Sequence, residues 1–75
     1  MTLTDLKIGE EAIITTINGG HGIHAKLESM GLREGSRVTK KSAVPAGGPV
    51  IVQTGNTQIA IGAGMANRII VKNTD

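Results

Sequence analysis

At 75 residues, with no cysteine and no aromatic side chain, the chain has room for one thin aliphatic core. A disulfide framework and any thiolate-held zinc or iron–sulfur centre are excluded. Its eight Lys and Arg residues give a net charge of +2 but are dispersed, only Lys40 and Lys41 adjoining. That is a solvated surface rather than a nucleic-acid footprint, and base stacking would lack a platform. The start "MTLTDLKIGEEA" has no basic, apolar leader, and no apolar run approaches the roughly 18 residues of a membrane span. A reducing, cytoplasmic location without membrane insertion is expected.

Ten Ile and five Val favour strands over helices. The phrases "LKIGEEA" (6–12) and "LREGSRV" (32–38) share Leu, a basic residue, any residue and Gly ahead of a strand. They predict one turn chemistry used twice, with Gly9 and Gly35 closing a type I turn or taking a positive φ, in an echo too short for a repeat architecture. The first strand, "EAIITTIN", alternates Ile13, Thr15 and Ile17 against Ala12, Ile14 and Thr16. "GGHG" interrupts it, Gly22 leaves His21 ahead of the next element, and Ile23, Leu27 and Met30 then form one stripe of a short helix over residues 22–30. Met30 as C-cap places Gly31 in the left-handed position and Leu32 against Leu27, a Schellman stop. "SRVTKKSAV" reads as a strand polar enough to lie near an edge, and "PAGGP" (45–49) as a loop. A hairpin around Gly55–Asn56 sets Thr54, Val52 and Val50 opposite Thr57, Ile59 and Ile61. "GAGMAN" is a bend, and "RIIVKN" is the last strand, with Ile69 and Val71 on one face. The fold class is therefore all-β with one short helix, a small SH3-like barrel forming a single domain over residues 1–75.

No constellation of acid, base and nucleophile is visible, so an enzyme is not expected and no residue is assigned as catalytic. "IAIGAGMAN" imitates a dinucleotide fingerprint, but its sixth position is Asn67 and too little chain follows for a βαβ unit. "GGHGIHAK" has Ala25 where a phosphate loop needs Gly before Lys. His21, His24 and Glu28, spaced i, i+3 and i+7, imitate the ligand set of a non-haem ferrous site. With His21 ahead of the helix and all three donors on one segment, they are read as solvated residues, leaving room only for weak ferrous or other divalent metal binding shared between molecules. No cofactor is expected. A thin core does not bury a whole helical stripe, which makes Ile23, Leu27 and Met30 the candidate partner interface, with Leu27 equally a core residue. Gly9, Gly31 and Gly35 are the structural turn residues.

The run "LESMGLREGSRV", followed by "GGPVIV", "QIAIG" and "MANRIIV", resembles the FeoA family of bacterial ferrous iron transport proteins. The resemblance spans nearly the whole chain and rests on Leu27, Met30, Gly31, Leu32 and Gly35, supported by Leu6, Gly9, Gly48, Pro49, Val50, Ala66, Ile69 and Val71. It implies an SH3-like fold and a non-enzymatic accessory of FeoB, the membrane ferrous transporter with a cytoplasmic GTPase domain. A related domain ends iron-dependent repressors of the diphtheria toxin repressor type, so the competing reading is a metal-sensing or nucleic-acid-binding module.

Overall fold

The structure is a computed structural model that describes residues 1–74. Five strands, β1 (Glu11–Ile17), β2 (Arg37–Ala43), β3 (Val50–Thr54), β4 (Thr57–Ile61) and β5 (Ile69–Asn73), form one antiparallel sheet in the order β4-β3-β2-β1-β5. Helix α1 (His21–Ser29) joins β1 to β2, and a single turn, α2 (Ala63–Ala66), joins β4 to β5. The sheet wraps around a core to which Ile14, Val38, Val52, Ile61 and Ile69 contribute from the five strands, closed over by Leu3, Leu6, Leu27 and Leu32.

The "LKIG" and "LREG" phrases build the same device. In each, a four-residue turn starts at the basic residue and its fourth residue donates its N–H to the carbonyl of the first, Glu10 to Lys7 and Ser36 to Arg33, both at 3.0 Å. Glycine is the third residue, at φ 92° for Gly9 and 94° for Gly35, the left-handed region an L side chain resists. Each turn then docks on the strand that the other launches. Gly9 N–H donates to Lys40 O at 2.7 Å while Lys40 N–H returns to Glu10 O, and Gly35 N–H donates to Ile14 O at 2.7 Å while Ile14 N–H returns to Ser36 O. These are glycine bulges at both ends of the ladder that pairs Glu11, Ala12 and Ile13 with Thr39, Val38 and Arg37.

The correspondence continues past the turns. β1 has an irregularity at Thr15 against β5, and β2 has one at Lys41 against β3. Each inserts one residue and flips the inward parity, so Ala12, Ile14 and then Ile17 face the core where strict alternation would turn Ile17 outward. In β2 the inward set is Val38, Lys40 and then Ala43. Residues 6–17 and 32–43 are thus two turn–strand units of one design, which corrects the reading of the echo as turn chemistry alone.

The edge assignment of "SRVTKKSAV" is also corrected, since β2 is the middle strand. Its polarity has two sources. Arg37 and Lys41 lie exposed on the outer face, and Lys40 points inward at 5% exposure, its Nζ donating to Leu6 O at 2.6 Å and Thr4 O at 2.9 Å. The ammonium thereby satisfies one carbonyl of the 3₁₀ turn Leu3–Asp5 and that of its C-cap, Leu6. At the start of that turn, the Thr2 backbone N–H and then its hydroxyl hold the Asp5 carboxyl below its usual range. The hairpin pairs Thr54, Val52 and Val50 with Thr57, Ile59 and Ile61, as its alternation predicts. Gly55 at φ 60° supplies the positive φ of its first turn position.

Two substitutions test this packing. Lys40→Met keeps the apolar stem but leaves Leu6 O and Thr4 O without a donor, and is expected to cost about 1 to 3 kcal/mol in urea unfolding. Gly31→Val places a branched side chain at φ 91° with no atom nearby to clash. Its expected cost, about 1 to 2 kcal/mol, is conformational, and an unchanged melting temperature would refute the cap.

Candidate functional site

Helix α1 begins at His21 with Gly20 as N-cap, one residue earlier than the glycine pattern suggests, so Gly22 lies inside the helix and His21 is its first residue. Its end follows the Schellman pattern: Gly31 N–H donates to Glu28 O and Leu32 N–H to Leu27 O, both at 2.9 Å. This stop turns Leu32 back onto Leu27, and both are wholly buried. Leu27 is therefore a core residue, which corrects its assignment to the partner interface. Ile23 and Met30 flank it, partly buried against the core and partly open to solvent.

The stripe is aimed by its surroundings. A Cβ on Gly19 would lie 2.6 Å from the Ile23 δ-methyl, so Gly19, at φ 134°, is where the backbone makes way for that side chain. The histidines sit differently from each other. His24 Nδ1 lies 3.1 Å from Gly20 O, a hydrogen bond in the forms of the ring that carry a proton on Nδ1, since a carbonyl only accepts. Nε2 lies on the side of Glu34, 3.9 Å from its Oε2. That carboxylate oxygen also accepts the Ile17 N–H at 3.1 Å, tying the second turn to the end of β1.

His21, His24 and Glu28 do not converge, and among the described residues no group of three His, Cys, Asp or Glu side chains is placed to hold a metal ion. What comes together instead is one imidazole and one carboxylate, His24 with Glu34, from segments ten residues apart. The surface recesses lie elsewhere. One of about 500 Å³ is on the outer face of β1, β2 and β5, lined by Glu11, Ile13, Arg37 and Lys72 among others. Neither Glu34 nor Gly19 figures among the candidates from sequence. Glu34 pairs with a backbone group 17 residues away and leaves no local signal, whereas the doubled glycine before His21 was a visible one.

The α1 face thus offers two half-open apolar side chains, Ile23 and Met30, beside the His24–Glu34 contact. The FeoA domain matches residues 1–73. The chain belongs to the FeoA family. It is 41% identical over 69 residues to an Fe(2+) transport protein A of Methanocaldococcus jannaschii, covering 92% of this chain and 82% of that one. Among solved structures, an iron uptake regulatory protein (FeoA) superposes with TM-score 0.86 at 35% identity, covering 96% of this chain and 93% of the other. Stenotrophomonas maltophilia FeoA, crystallised in complex with zinc and described as a prokaryotic SH3 domain protein, superposes with TM-score 0.77 at 28% identity, covering 96% and 89%. The five-stranded sheet of this FeoA-family chain is accordingly an SH3-like barrel.

The Glu34 contact gives a direct test. Glu34→Ala leaves the Ile17 N–H without its side-chain acceptor and is expected to cost about 1 to 2 kcal/mol in thermal or urea unfolding. Glu34→Gln keeps an acceptor oxygen and should recover most of that loss, whereas equal losses in both would mean that charge matters more than the hydrogen bond.

Proposed function

We propose that this FeoA-family chain is a small cytoplasmic accessory of ferrous iron uptake, without enzymatic activity, that binds the cytoplasmic GTPase portion of a FeoB-type membrane transporter. Family membership and the iron-transport names of its relatives support the process. The observation that supports a contact role is the α1 face. Ile23 and Met30 stay partly exposed because Leu27 and Leu32 already fill the core beneath them, and partly exposed apolar side chains on a rigid element are what protein interfaces bury. The Schellman stop and Gly19 hold this stripe in place, so little ordering would be needed on binding. No helix of the described residues is long and apolar enough to cross a membrane, and on this reading the chain meets the transporter through its soluble part.

Ferrous ion, on the same reading, is the transporter's cargo rather than a resident of this chain. His24 and Glu34 supply two donors where a ferrous site of the two-histidine, one-carboxylate kind has three, so any binding here is weak.

The test is calorimetric titration of the soluble FeoB domain with the wild type and with Met30→Asp and Ile23→Asp, circular dichroism establishing that each variant is folded. A tenfold or greater loss of affinity, about 1.4 kcal/mol, is expected for the folded variants. Undiminished binding would move the interface away from α1. Anaerobic titration with ferrous ion alone forms the second arm, where a sub-micromolar site abolished in His24→Ala would favour a sensor over a transport accessory.

A further inference from the structure

Strand β4 carries an edge that the fold leaves open. Because Gly55 and Asn56 form a two-residue turn, the pairs Thr54–Thr57, Val52–Ile59 and Val50–Ile61 exchange the ladder bonds with β3. Antiparallel alternation then turns the N–H and C=O of Gln58 and Ala60 away from the sheet. Among the described residues no strand lies beyond β4, and no loop backbone group bonds to Gln58 or Ala60, both of which are exposed. The opposite edge is handled differently: Met1 O takes up the Val71 N–H at 2.8 Å, and Thr2 bridges Ile70.

β4 also lacks every device that normally blunts an edge. "TQIAI" contains no charge and no proline, and all five of its residues pair with β3 in continuous register without a bulge. We propose that this edge is a self-association surface, on which β4 of a second copy pairs antiparallel, Gln58 of each opposite Ala60 of the other, with the two-fold axis at Ile59.

Three observations favour a second copy as the occupant. Only an extended backbone supplies donors and acceptors in this alternation, and another β4 has the same outward groups unsatisfied. The register is self-complementary, because the two outward-facing residues are symmetric about Ile59, so each opposed pair exchanges two backbone bonds. The strand is uncharged, so symmetric pairing brings no like charges together, and the Ile59 side chains, still 7% exposed in one copy, meet across the axis. The contact is one strand wide and well under the size of a standard interface, so association is weak and concentration-dependent, read between about 10 µM and 1 mM.

Sedimentation equilibrium and amide exchange across that range test the proposal. The wild type is expected to rise from its monomer mass of 7.7 kDa toward twice that value. The Gln58 and Ala60 amides should gain protection as it does so. Gln58→Lys/Ala60→Lys sets lysine against lysine at both opposed positions and should remain monomeric. Gln58→Lys/Ala60→Glu sets opposite charges there and should associate at least tenfold more tightly than the double-lysine variant. A wild type that stays monomeric at the highest concentration would overturn the proposal, as would a double-lysine variant that associates like it or a dimer whose protected amides lie on α1. A monomeric wild type that instead captures an extended peptide at Gln58 and Ala60 would reassign the edge to a foreign strand.

Discussion

The short ladder between β1 and β2, clamped at each end by a glycine bulge, is the constraint on which the rest of the barrel depends. Each bulge places a turn against the opposite strand through a reciprocal pair of backbone bonds, Gly9–Glu10 around Lys40 and Gly35–Ser36 around Ile14. Neither turn can slide without breaking the register of the strand it launches. Once that register is set, the irregularities at Thr15 and Lys41 determine which later residues of β1 and β2 face inward, and so how β5 and β3 pair outside them. Two copies of one turn–strand unit thus supply β1 and β2 and set the pairing of β5 and β3 against them.

The two units differ where they must cover different neighbours. Ile14 of the first unit lies in the apolar core, while its counterpart, Lys40, reaches the carbonyls of Thr4 and Leu6. A buried ammonium is costly unless its donors are engaged. Here it stands at the end of an aliphatic stem in the middle strand, facing carbonyls of a 3₁₀ turn and its C-cap that would otherwise lack donors. Lysine's long stem and compact charge fit that position, which holds the N-terminal segment along β5 and covers one sheet edge.

That covered edge makes the two ends of the sheet unlike. The β5 side is finished by the chain itself, and the β4 side ends in neutral, regular strand. The α1 face is a separate surface, set by the Schellman stop and by the absence of a side chain at Gly19. The helix and the β4 edge share no residue, so the proposed partner contact and the proposed self-association do not compete for the same side chains.

By itself the sequence determined the features that depend on near neighbours. The Gly31 stop with Leu32 folded onto Leu27, the Gly55–Asn56 hairpin with its register, the bend at residues 62–67 and the glycines at 9 and 35 all involve groups within about six residues of one another, where spacing and φ preference decide the outcome. The FeoA resemblance rests largely on these turn and core positions. Tertiary structure decided the rest. Strand order made polar β2 the centre of the sheet, because Lys40's partners arrive from a segment 34 and 36 residues away. The bulge at Thr15 sent Ile17 inward against its parity, since an inserted residue is defined only by the strand opposite. The histidine pairing went to Glu34 rather than Glu28 because α1 stops and the chain turns back beneath it, a reversal that helical spacing alone cannot encode. Pattern carries information over one turn of chain, and long-range hydrogen bonding selects among the arrangements that pattern allows.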